Sequence, residues 1–91
     1  MNGGTILLMK ALINTIKRLL IKITGNQKYK HFMETDNLLM SGVSSIMIIQ
    51  LFMKLERQYN FQIASEDFIP NNLNTIEKIA EIVIQYSKGK K

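Results

Sequence analysis

The chain has 91 residues, no cysteine, one histidine and a formal net charge of +5, which suits a single domain burying only about 60% of the surface its unfolded form exposes. Without cysteine there are no disulfides, thiolate metal sites or built-in thiol chemistry, and His31 alone supports neither a metal centre nor a catalytic triad, so it is read as a partly exposed loop histidine. The charge is divided along the chain: Lys10, Lys17, Arg18, Lys22, Lys28 and Lys30 precede the first acid, the seven acids then outnumber Lys54, Arg57 and Lys78, and Lys88, Lys90 and Lys91 close the chain. This distribution argues against a uniform nucleic-acid-binding surface.

In the opening MNGGTILLMKALI no basic residue precedes the apolar stretch, Lys10 interrupts it and no small-residue cleavage pattern follows. It is therefore expected to be neither a signal peptide nor a membrane span, and the expected location is cytoplasmic. From Thr5 to Thr24, apolar residues fall at Ile6, Met9, Ile13, Ile16, Leu20 and Ile23, widened by Leu12 and Leu19. Steps of three and four predict one helix with a core-facing stripe, and Gly25 with Asn26 supplies its stop. A basic amphipathic helix lying on a membrane surface is the competing reading.

Residues 25–44 form a long polar connection that Phe32, Leu38 and Leu39 are expected to pin to the core. A second helix is predicted from Ser45 to Tyr59. Leu51, Phe52, Leu55 and Tyr59 form one stripe on it, and Ile46, Ile49 and Met53 form another. A domain this small is expected to bury the first and to leave the second as a partner-binding patch. FQIASEDFIPNN reads as a short extended piece and a brief helical turn, capped by Ser65 and closed by Pro70. The last helix follows in NTIEKIAEIVIQY, with Asn74 and Glu77 as a capping box and Ile76, Ile79, Ala80 and Val83 as its inner face, before SKGKK frays. Three main helices and one short one make an all-α, small four-helix bundle.

Ser44 and Ser45 stand at the start of the second helix, where serine commonly caps. Neither has Glu or Gln three residues on, and tandem serines exceed what one cap requires. The alternative is attachment: a phosphate ester at this position would meet unpaired backbone N–H groups and the positive end of the helix dipole. Gly42 would let the chain turn sharply and bare the hydroxyl.

DNLLMSGVSSIMIIQLFMKLERQYNFQI resembles the central stretch of acyl and peptidyl carrier proteins. In that family a loop leads to Gly-x-Asp-Ser followed by Leu or Ile, then to a helix ending in Leu-Glu-x-x-Phe or Tyr. Gly42, Ser45 and Ile46 match the motif, and Leu55, Glu56 and Tyr59 match the helix end. SEDFIPNNLNTIEKIAEIV is similar to the family's short third helix and the start of its last, so the resemblance covers roughly residues 32–86. It implies one carrier domain over residues 1–91, with a core of about 5–86 and a basic flexible tail at 87–91.

The same resemblance implies that Ser45 carries a covalent 4′-phosphopantetheine arm taken from coenzyme A by a phosphopantetheinyl transferase, with Gly42 and Ser44 beside it. The arm's thiol would hold acyl, aminoacyl or peptidyl cargo as a thioester, and the chain itself would be no enzyme. Its partners would be the transferase, an acyl- or aminoacyl-loading enzyme and downstream synthase enzymes of a polyketide, nonribosomal-peptide or fatty-acid pathway. The carrier would be a monomer with no nucleic-acid ligand and no stable membrane insertion. The departure from the family pattern is Ser44 in place of the motif Asp, which keeps an unmodified carrier-like interaction module as the alternative. A basic helical protein binding membrane or nucleic acid is a further one. Because Glu56 is the second helix's only acid, the partner face is expected to use Ile46, Met47, Ile49, Gln50, Met53 and Arg57. Binding is then expected to depend less on salt than it does for an acidic carrier.

Overall fold

The computed structural model describes residues 3–87 and contains three α-helices: α1 (Gly3–Thr24), α2 (Ser45–Tyr59) and α3 (Ile76–Ser87). Between them lie single turns of 3-10 helix at Gln27–His31, Ser65–Asp67 and Pro70–Asn72, and no strand occurs among the described residues. The all-α bundle is as expected, but the short fourth helix consists of the two 3-10 turns between α2 and α3. The basic tail from Lys88 onward lies outside the described residues; Ser87 is the last residue of α3.

Helix α1 packs against both α2 and α3. Leu12, Ile13, Ile16 and Leu20 supply its buried face, with Met9, Leu19, Ile21 and Ile23 partly buried around them. Thr15 is buried as well, and its hydroxyl is satisfied within the helix: it donates to the Ala11 carbonyl at 3.0 Å and accepts from Arg18 at 3.3 Å. Ile6 departs from the expected core stripe, being 46% exposed beside exposed Leu7 and Leu8. The reason is length: 22 residues rise about 33 Å, longer than either helix available to cover them. The stop falls where expected, with Gly25 at φ 73° and its N–H bonded to the Ile21 carbonyl at 2.7 Å.

The long connection is ordered by two anchors. Tyr29 is buried to 1% exposure in the first 3-10 turn and donates its hydroxyl to the Ser41 carbonyl at 2.7 Å, tying the start of the connection to its end. Leu38 is fully buried, and its N–H reaches the Asn74 carbonyl at 2.7 Å, while Glu77 N–H bonds the Glu34 carbonyl at 3.0 Å. Phe32 and Leu39 pack partly buried against the core as expected. His31 ends the first 3-10 turn, and it is exposed.

Three local expectations are corrected. Asn74 does not cap α3, because its carbonyl is still paired with the connection at Leu38. The cap falls to Thr75, whose Oγ1 accepts the Lys78 N–H at 3.1 Å, and Asn74 Oδ1 is left buried without a partner. Glu77 therefore occupies no capping-box position. Ser65 is the first residue inside its turn, which Ala64 precedes with no side-chain cap. Pro70 opens the next turn instead of closing the previous one, the position where a missing N–H is harmless. The inner face of α3 is as expected, with Ile76, Ile79, Ala80 and Val83 all buried, joined by Ile84 and Tyr86.

Candidate functional site

Helix α2 begins at Ser45, as the sequence predicts, and one of the two serines caps it. Ser44 is the cap: it has extended backbone at φ −80°, and its Oγ accepts the Met47 N–H at 3.2 Å. Its carbonyl takes the Ile48 N–H at 3.1 Å. Ser45 is exposed, and its hydroxyl has no hydrogen-bond partner among the described residues. With Met47 N–H capped, the first-turn N–H groups of Ser45 and Ile46 are left without helical acceptors beside that hydroxyl. A phosphate ester on Ser45 fits this corner: it would gain N–H donors and the positive helix end, and it would displace nothing.

What holds the corner in place is the connection. Val43, buried to 1% exposure, anchors the chain just before the serines and bonds through its N–H to the Leu38 carbonyl at 3.1 Å. Gly42 turns with φ 102°, a conformation that side chains resist. A Cβ there would also lie 3.3 Å from the Tyr29 hydroxyl oxygen and 3.8 Å from Lys28 Nζ. Lys28 itself sits over the Tyr29 ring, 5.2 Å from its centroid. Tyr29 was not legible as a site residue; an isolated aromatic in a polar loop is the only signal it leaves in the sequence. Replacing Tyr29 with Phe will remove the bond to Ser41 and is expected to cost about 1 kcal/mol. Urea unfolding measures this, and an unchanged midpoint would mean that solvent serves the Ser41 carbonyl equally well.

The two stripes of α2 separate as expected. Leu51, Phe52 and Leu55 are buried, whereas Ile46, Ile49 and Met53 are 67%, 39% and 55% exposed. Tyr59 and Met47 are half-buried against the core. Ile48 completes the buried stripe at 0% exposure; its spacing to Leu51 and Phe52 carried that signal. Gln50 and Arg57 are exposed, and both border a cleft of about 440 Å³ between α1 and α2. Glu56 does not line this cleft: its Oε2 accepts the Ile63 N–H at 2.9 Å and fastens the segment after α2, and it borders a neighbouring concavity with Ile49 and Met53.

The bundle thus presents an uncommitted hydroxyl on the first residue of a capped helix. The family model for the phosphopantetheine attachment site matches residues 14–83, and the chain belongs to that family. Members of this family carry covalently attached 4′-phosphopantetheine and are generally non-catalytic, and carrier domains interact with modifying and synthase enzymes. No curated protein and no solved structure matches the chain significantly. None of the described helices is long and apolar enough to cross a membrane.

Proposed function

We propose that Ser45 is the attachment point and that the chain is a stand-alone acyl or peptidyl carrier. The observation that carries this reading is the division of labour at the α2 start: Ser44 caps, so the neighbouring hydroxyl of Ser45 is exposed and uncommitted. In the attachment step the Ser45 oxygen forms a new phosphodiester bond to the phosphopantetheine phosphorus of coenzyme A. The bond to the rest of the coenzyme breaks, and the hydroxyl proton leaves to a base on the transferase.

The arm, once bound, supplies the thiol that this cysteine-free chain lacks and holds cargo as a thioester. The chain's own residues would hold it: Ser45 covalently, the Ser45 and Ile46 N–H groups as donors available to the phosphate, and Gly42 with Val43 by fixing the turn. Tethering raises the cargo's effective concentration at each partner enzyme. Transferase, loading enzyme and synthase enzymes meet the carrier at Ile46, Met47, Ile49, Gln50, Met53 and Arg57. The pathways that fit are polyketide, nonribosomal-peptide or fatty-acid synthesis, with the carrier working as a cytoplasmic monomer.

Intact-protein mass spectrometry tests this reading after incubation with coenzyme A, magnesium and a broad-specificity phosphopantetheinyl transferase. We expect a gain of one phosphopantetheine group. Ser44 in the place of the family's Asp gives the alternative, an unmodified interaction module. That alternative prevails if neither the broad transferase nor one from the native host produces the gain.

A further inference from the structure

The cleft between α1 and α2 is lined by Lys22 and Ile23 from α1 and by Gln50, Met53, Lys54 and Arg57 from α2. Three cations from two helices thus ring one concavity, and none has an ion-pair or hydrogen-bond partner among the described residues. No acid is among the residues that line the cleft. Residues 1–33 contain no Asp or Glu, and Glu56, the sole acid of α2, is held by Ile63 N–H. Such a cluster repels itself and favours an occupant that brings carboxylates.

The cleft is also continuous with the apolar stripe. Met53 lines it and belongs to the exposed row Ile46–Ile49–Met53 that starts beside Ser45. Eight residues separate Ser45 from Met53, about 12 Å along the helix axis. A surface gripping the cleft therefore reaches the attachment corner.

We infer that this cleft is a docking socket for an acidic partner: an enzyme surface with an apolar projection rimmed by Asp and Glu, which fits over Met53 and Ile23 while its carboxylates meet Lys22, Lys54 and Arg57. Identifying that partner as an enzyme that handles the arm rests on the carrier reading above; the polarity of the socket does not. On this inference docking depends more on salt than α2 alone would suggest, because packing adds Lys22 and Ile23 to the face. Exposed charges at an interface rim act mainly on association rate and are screened by salt.

The test uses two amphipathic helical peptides with the same leucine stripe, one rimmed by Glu and one by Lys, titrated into isotopically labelled protein and followed by amide NMR. The Glu peptide is expected to shift Ile23, Gln50 and Met53, and to weaken about tenfold or more as salt rises from low to above-physiological ionic strength, the low end of what electrostatic steering supplies. In the Lys22→Glu/Lys54→Glu/Arg57→Glu variant the preference is expected to reverse to the Lys peptide. Should that variant not fold, Lys54→Gln/Arg57→Gln is expected to weaken the Glu peptide without favouring the Lys one. Equal binding of both peptides to the wild type, shifts centred away from the cleft, or no shift with either peptide would each overturn the inference. So would tighter binding to vesicles containing anionic phosphatidylserine than to the Glu peptide, which would make the cleft a membrane contact. The mass gain on Ser45 is read separately, so failure of loading and failure of docking remain distinct results.

Discussion

Ser45→Ala is expected to abolish the phosphopantetheine mass gain completely while leaving the helical circular dichroism unchanged. The reason lies in the division between the two serines. Ser45 is exposed with an uncommitted hydroxyl, so removing its oxygen breaks no bond of the fold. Ser44 shows the reverse pattern. Its Oγ holds the Met47 N–H, and Ser44→Ala is expected to cost about 1 kcal/mol of stability while still accepting the arm. The pair of variants separates attachment from capping. A mass gain that survives in Ser45→Ala and disappears in Ser44→Ala would move the attachment point by one residue. Collapse of the helical signal in Ser45→Ala would make that serine structural.

The second large effect is expected one turn further on, where two adjacent isoleucines should behave oppositely. Ile48 is fully buried at the junction of the core, whereas Ile49 is 39% exposed on the outward row. Ile48→Ala leaves a cavity that the surrounding helices fill only in part, and we expect a loss of about 2–5 kcal/mol. For a domain whose whole stability is about 5–14 kcal/mol at this length, that is a large fraction. Urea unfolding should show a much lower midpoint for Ile48→Ala. Ile49→Glu should instead leave the midpoint within about 1 kcal/mol of wild type and weaken binding of the arm-handling enzymes. If Ile49→Glu unfolds the domain, the outward row is core and the docking face lies elsewhere.

The start of α2 was the most legible part of the sequence. The glycine, the paired serines and the following helical run each act through local backbone geometry, so their spacing alone marks the start of α2 and leaves capping and attachment as the alternatives. What spacing did not reveal is which serine does which job, since both can occupy a cap. The extended backbone at Ser44, with its Oγ on the Met47 N–H, decides which of them caps. The cap of α3 falls on Thr75 instead of Asn74 for the complementary reason. Asn74 and Thr75 both suit a cap, and the choice depends on the Leu38 N–H, far away in the chain, which donates to the Asn74 carbonyl.

By itself, the sequence determined the all-helical class, the span of α2, the inner face of α3 and the motif that places the chain in its family. These are written in short-range periodicity and in residue types at fixed spacing, which neighbouring residues read without help from the rest of the fold. Only the tertiary structure decided that Ile6 stays exposed, that Tyr29 anchors the connection, that Glu56 turns toward Ile63 and that Lys22 joins Lys54 and Arg57 around one cleft. Those outcomes depend on how long each helix is relative to its neighbours and on which faces meet. Periodicity shows that a helix has an apolar side, but not how much of it another helix will reach.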